Sequence, residues 1–234
     1  MPNHSLLIFG ASGMIGSEFL TQALADEEIN RVTVILRKEI DIQHPKLRQI
    51  IHRDFLDYQN LINEFKSHTA CIWALGISQT QVGKEDYIKI TYDYTIQAAK
   101  AMLKVNPEMH FLFISGLGAD VKEKSFTLFG RIKGRTEKVL SLLGCKRLLI
   151  VRPGGVQASK TNNNEPFLHK FISPFYTILN KLVPSLFITS NELAKVGVHI
   201  LKNDYQTGTF SNNDLRKIMN NNLNRFPIKN TWLF

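Results

Sequence analysis

Cysteine is scarce in this chain. Cys71 and Cys145 are the only two in 234 residues, too few for a disulfide framework and without C-x-x-C spacing; both sit among apolar neighbours and read as buried, reduced thiols. Long apolar runs are also missing, since none approaches the ~20 residues needed to span a bilayer. No basic segment followed by a hydrophobic core and cleavage site opens the chain, and its first apolar run reads as a strand, so the expected compartment is the cytoplasm. The seven histidines lack ligand spacing with nearby Cys or acidic partners, and no metal is expected. The formal net charge is +9, but Lys and Arg are scattered, without a basic block or a DNA-reading motif. No nucleic-acid partner is therefore expected, and binding a phosphate-rich nucleotide accounts for part of the excess. There is no internal repeat, low-complexity stretch or domain boundary. At 44% hydrophobic residues, 1–234 suits one sizeable domain.

What is present is organised around the N-terminus. Ser5-Leu6-Leu7-Ile8-Phe9 runs into Gly10-Ala11-Ser12-Gly13-Met14-Ile15-Gly16 and then a helix-like segment. This is a strand, a tight turn and a helix. Gly10 lets the chain turn, Gly13 lets the backbone approach a pyrophosphate, and Gly16 lets the helix pack closely on the sheet. Ser12, Met14 and Ile15 belong to the turn and the first helical turn, whose N–H groups and positive dipole end would face phosphates.

Val32 to Leu36 reads as the second strand, and Arg37 and Lys38 follow it. Arg37 lies 21 residues beyond Gly16, close to the ~20 expected of the residue that discriminates the cofactor. An acidic residue there would accept from a ribose 2′-hydroxyl, whereas Arg suits a 2′-phosphate, which favours NADP(H) over NAD(H); Glu39 and Asp41 stand nearby. A short third strand stops at Asp54, and a helix follows over Gln59 to Phe65. Ala70 to Leu75, ending at Gly76, is a strand without polar interruptions, as in a sheet covered on both faces. A helical stripe runs over Lys84 to Leu103, and His110 to Ile114 is the fifth strand. A helix from near Thr127 to Leu143 stops at Gly144, and Leu148 to Val151 is the sixth strand. This alternation predicts an α/β doubly wound parallel sheet, Rossmann-like, with helices on both faces. From 157 to 234 the chain reads as a substrate-side wall or lid within the same domain. Its aromatic stretch, Phe167 to Leu186, is flanked by Lys170 and Lys181, which leaves membrane-surface contact and extra core packing as alternatives. A capped helix follows from Ser190 to Leu201, then a short strand over Thr207 to Phe210 and a last helix over Asn212 to Met219.

The glycine pattern, Arg37, Asp54-Phe55-Leu56-Asp57, Ala74-Leu75-Gly76, Ser115, Lys133 and Arg152-Pro153-Gly154 together resemble the atypical short-chain dehydrogenase/reductases that bind NAD(P)H, the NmrA-like and related single-domain members. The resemblance covers Ser5 to Val156 and, more loosely, the helix from Ser190. It implies that Asp54, with Phe55 beside it, holds the adenine amino group. It further implies that Ala74 to Gly76 line the cofactor and that Pro153, Gly154, Gly155 and Val156 contact its nicotinamide end. Lys133 would hold the nicotinamide ribose, and Ser115 would orient a substrate carbonyl. Such enzymes carry a Tyr four residues before the Lys, where this chain has Phe129. No Tyr elsewhere is followed at that spacing by Lys. Losing a general acid costs ~10²–10⁴ in rate.

Two readings follow: an NADP-dependent oxidoreductase of a small carbonyl or alcohol, or a non-catalytic NADPH-binding redox sensor or regulatory protein. A membrane-surface or RNA-associated adaptor is a third. Substrate, reaction direction and oligomeric state, a homodimer included, stay open.

Overall fold

A computed structural model describes residues 4–159 and 186–223. Seven strands form one parallel sheet in the order β3-β2-β1-β4-β5-β6-β9: β1 His4–Phe9, β2 Ile29–Leu36, β3 Leu47–Ile51, β4 Ala70–Trp73, β5 His110–Ile114, β6 Arg147–Arg152 and β9 Gly208–Ser211. The order reverses between β1 and β4, and ligands of doubly wound sheets bind in the crevice beyond such a point. Parallel strands need crossovers, and helices supply them. The helices are α1 Met14–Ala25, α2 Ile62–Ser67, α3 Lys84–Ile88, α4 Tyr94–Val105, α5 Leu128–Leu142, α6 Ser190–Lys202 and α7 Asn212–Ile218.

Strand alternation explains why the sheet is covered twice. Leu6 and Ile8 point into a core shared with Phe19 and Leu20 of α1 and Leu193 and Ile200 of α6. Leu7 and Phe9, one residue out of phase, join Trp73, Phe65 and Met102 on the other side. Both sets are buried, so the centre of the sheet carries almost no polar side chains. At Gly197 of α6 a Cβ would meet the ring of Phe19, so this glycine sets how closely α6 lies on α1.

Three local features differ from the sequence reading. The long helix from Lys84 is interrupted by a π-helical turn, Lys89–Asp93, between α3 and α4. There the Thr91 carbonyl accepts from Thr95 Oγ1 at 2.8 Å and Thr136 Oγ1 at 3.5 Å, and hydroxyl back-bonding of this kind loosens a helical ladder. The cap of α6 is Thr189, one residue earlier than expected, in a capping box with Glu192. A two-stranded parallel ribbon, β7 Gly155–Gln157 with β8 Phe187–Thr189, has three residues per strand and offered no periodicity to read.

Residues 190–218, part of the stretch read as wall or lid, contribute to the scaffold. The helix α6 covers the face behind α1, and β9 extends the main sheet beyond β6. The aromatic stretch Phe167 to Leu186 lies outside the described residues except for Leu186.

Candidate functional site

The predicted residues gather at the carboxyl edge of the sheet. Gly10 has φ +82°, and a Cβ there would lie 2.6 Å from the Ala74 carbonyl oxygen, so only glycine lets the turn after β1 pass the end of β4. A Cβ on Gly16 would overlap the Gly10 carbonyl; that glycine fixes α1 against the turn. Gly13 donates to the Gly10 carbonyl at 2.9 Å and is the N-cap of α1. Gly13 has no side chain with which to cap the helix, and the first turn holds no acidic residue. A helix start approached by the Gly13 backbone, with no acidic residue in its first turn, fits a pyrophosphate.

At the neighbouring strand ends, Arg37 and Lys38 are exposed just past β2. Asp54 is exposed after β3, one carboxylate oxygen accepting from the Leu56 N–H at 3.0 Å. Phe55 is turned inward: it is 4% exposed and packs against Phe9, His52 and Tyr94, which leaves only its backbone facing the edge. Ala74 continues β4 by donating to the Phe9 carbonyl at 3.0 Å, while Gly76 is exposed with open space around it.

The ends of β5 and β6 form the second half of the site. The Ser115 N–H donates to the Val151 carbonyl at 2.8 Å and the Leu117 N–H to the Pro153 carbonyl at 2.7 Å, which ties the two loops together. Ser115 Oγ donates to the Glu137 carboxylate, and Arg152 grips the same carboxylate with Nε at 2.9 Å and a second guanidinium nitrogen. The Glu137 side chain is 2% exposed and that of Arg152 27%. Lys133, one turn before Glu137 on α5, donates from Nζ to the Ile114 carbonyl at 2.8 Å and lies 4.7 Å above the Phe113 ring. Burial pushes its amine down to about 8, against the opposing pull of Glu137.

Phe129 occupies the first turn of α5. Its Cζ, the atom that would carry a tyrosine hydroxyl, would lie 2.5 Å from a Cβ on Gly116, so the ring rests on the residue next to Ser115. Its backbone N–H donates to Gln79 Oε1 at 2.8 Å, which brings the β4–α3 loop to the α5 N-terminus. Beyond β6, the Gly154 N–H donates to Asn212 Oδ1 at 3.1 Å, and a Cβ on Gly154 would overlap the Leu186 carbonyl. Gly155 and Val156 begin β7.

Three residues of this cluster were absent from the sequence reading. Glu137 carried a signal, standing one helical turn after Lys133 with Arg152 at the neighbouring strand end. Gln79 and Gly116 carried none. Among the described residues no group of His, Cys, Asp or Glu converges as a metal site would require.

A parallel sheet with a glycine-lined turn at its reversal point defines a dinucleotide-binding protein. A profile of the NAD(P)H-binding family matches residues 10–203, and the chain belongs to that family. It is 29% identical to rat (Rattus norvegicus) protein HTATIP2 over 157 residues, 66% of this chain and 63% of that protein, which is less than two thirds of the relative's length. It is 27% identical to the mitochondrial protein FMP52 of Kluyveromyces lactis over 210 residues, 86% of this chain and 91% of that one. Among solved structures, UDP-N-acetylglucosamine 4-epimerase from Methanobrevibacter ruminantium M1 superposes with a TM-score of 0.69 at 19% identity, covering 90% of this chain and 76% of that one. The Bordetella bronchiseptica enzyme WbmG in complex with NAD gives 0.66 at 17%, covering 89% and 72%. At such identities these structures establish the fold alone.

The relatives correct the cytoplasmic expectation. FMP52 proteins of Kluyveromyces lactis, Debaryomyces hansenii and Saccharomyces cerevisiae are all named mitochondrial. The N-terminal apolar run behind that expectation is β1, and a core strand carries no information about address.

Proposed function

We propose that the chain is an NADP(H)-dependent oxidoreductase of a small carbonyl or alcohol substrate, working without the usual catalytic tyrosine. The observation that carries this reading is Lys133: a cation buried at the Ile114 carbonyl, beside Ser115 and below the crevice. Burying an ammonium costs stability, and a purely structural position would be better filled by an apolar side chain. In this reading the α1 turn, Gly10 to Gly16, holds the pyrophosphate, and Arg37 and Lys38 meet a 2′-phosphate. Asp54 takes the adenine amino group, while Ala74 to Gly76 and Pro153 to Val156 flank the nicotinamide half. The bound nicotinamide supplies or accepts the hydride. Lys133 orients the ribose, and Ser115 fixes the reacting oxygen by turning its single proton from Glu137 toward it, while Arg152 keeps its fork on Glu137. Phe129 brings no proton, so protonation of that oxygen falls to water or to the substrate itself, and turnover is correspondingly slow.

A second reading is favoured by the same corner of the site. Phe129 has no acid, and the Ser115 proton is committed to Glu137. A protein that binds NADPH and reports its redox state without turning it over needs neither group. The likeness to FMP52 supports a mitochondrial setting for either role.

Calorimetry with NADPH and NADH, followed by NADPH consumption against a carbonyl panel, tests both. Turnover selects the first reading, and tight binding without turnover selects the second. No binding of either nucleotide removes both.

A further inference from the structure

Ser115 and Arg152 are neighbours by register. Ile114 lies across from Val151, so the next residues of the two strands stand side by side. Both side chains follow Phe113 and Ile150 onto the face that α5 covers. There they meet on one buried atom: Oε1 of Glu137 accepts from Ser115 Oγ and from Arg152 Nε. Two donors sharing an acceptor are at most about 6 Å apart.

A guanidinium carries five N–H groups. Arg152 spends two of them on Glu137, one from Nε and one from Nη2. The others, two on Nη1 and one on Nη2, include the pair that forms the terminal edge, and among the described residues they meet no acceptor. The Glu137 side chain is 2% exposed and that of Arg152 27%, so the edge on Glu137 is closed and the terminal edge is the open one. The buried fork holds that edge in one orientation, unlike a solvated arginine that must be ordered on binding. The charges of Arg152 and Glu137 cancel, and Lys133, one turn earlier on α5, leaves the corner cationic. Asp120 also acts on Arg152, but its two oxygens accept from the Lys122 and Lys124 N–H groups.

We propose that the terminal edge of Arg152 binds a carboxylate of the substrate, which makes the carbonyl compound a 2-oxo acid. The inference rests on the oxidoreductase reading and deepens it by naming the substrate class. Ser115 and the terminal edge are separated by the breadth of one guanidinium. With a hydrogen bond of about 2.9 Å at each end, a carbonyl oxygen and a directly attached carboxylate reach both.

Two probes share a carbonyl and an isobutyl body and differ in one group: 4-methyl-2-oxopentanoate has a carboxylate where 4-methylpentan-2-one has a methyl. Each is titrated by calorimetry into the protein at saturating NADP+, which cannot reduce them. Wild type should bind the oxo acid at least tenfold more tightly, since a charge-assisted hydrogen bond corresponds to about 10- to 100-fold in affinity. Arg152→Lys keeps a cation on Glu137 and loses the terminal edge, so the oxo acid should weaken about tenfold while the ketone stays within twofold. The double variant Glu137→Leu, Arg152→Met replaces the pair with apolar side chains, an exchange that is often neutral for stability, and should bind the two probes alike. Equal affinity of wild type for the two probes, no oxo acid binding, an oxo acid within twofold of wild type in Arg152→Lys, an equal loss for the ketone, or a preference surviving in the double variant overturns the proposal. NADP+ affinity of the wild type and reduction of the ketone by NADPH, measured separately, report on the oxidoreductase reading alone.

Discussion

Ser115 and Glu137 are joined by a hydrogen bond from the hydroxyl to a carboxylate that is almost wholly out of solvent. The bond links the end of β5 to the middle of α5, and Arg152 completes it from the end of β6. Glu137→Ala would strand the Arg152 guanidinium in a half-buried site and release Ser115. Because Arg152 keeps some solvent contact, the expected cost is roughly 2–4 kcal/mol, toward the lower end for a broken buried pair. Urea unfolding of both proteins measures it, and a loss below about 0.5 kcal/mol would show that the three groups are not coupled.

The glycines of the first turn should separate fold from binding. Gly10→Ala and Gly16→Ala each place a methyl group against backbone, with the added strain of positive φ at Gly10, and should cost roughly 2–4 kcal/mol. At Gly13 the nearest atom, the Gly10 carbonyl oxygen, would be 3.3 Å away. That contact is tight but milder than the overlaps at Gly10 and Gly16, so Gly13→Ala should lower Tm by less than either of those changes and weaken NADPH at least tenfold, by standing where the pyrophosphate approaches.

Arg37→Ala should weaken NADPH by about 10- to 100-fold and NADH very little, the range expected for a charge-assisted hydrogen bond to phosphate. Competition calorimetry with the two nucleotides gives the ratio. An equal effect on both would move the 2′-phosphate away from Arg37.

How much of this was readable beforehand depended on whether a residue's role was local. The turn from Gly10 to Gly16 was legible because backbone approach demands glycine at set spacings, and the strands were legible because burial on both faces leaves unbroken apolar runs. The sheet's seventh strand, β9, was foreseen as a strand but not as an edge partner of β6, since pairing between distant segments leaves no mark in either. Phe55 illustrates the same limit. The motif placed it at the adenine end, but the aromatic cluster that draws its ring inward is assembled from Phe9, His52 and Tyr94. Gln79 was invisible because its role comes from one contact with a residue 50 positions away.

Phe129→Tyr would place a hydroxyl at the ring atom nearest Gly116, beside Ser115. If hydride transfer is the retained chemistry, carbonyl reduction should rise by about 10²-fold or more, the worth of a general acid. Single-turnover NADPH oxidation with a substrate that the wild type already accepts is the measurement. No gain would mean that the pocket does not use this geometry.

Lys133 makes stability depend on pH in a defined window. Its amine titrates at about 8 in the folded chain and near 10.5 when unfolded. Between these values the unfolded chain binds more protons, so this residue's contribution to stability rises with pH, and the cost of burying the cation is fully present below pH 8. Compared with Lys133→Met, wild type should gain stability from pH 8 to 10.5, by on the order of 3 kcal/mol. Denaturant midpoints across that range give the difference, and a flat difference would place the ammonium in contact with solvent.

The ribbon of β7 and β8 has an evolutionary consequence. Gly155 lies across from Phe187 and Gln157 across from Thr189, and neither strand pairs with any strand of the main sheet. Substitutions in the ribbon can therefore accumulate without shifting the registers of the seven-stranded sheet. Descendants of this architecture can reshape that ledge beyond β6 while the nucleotide cradle stays as it was.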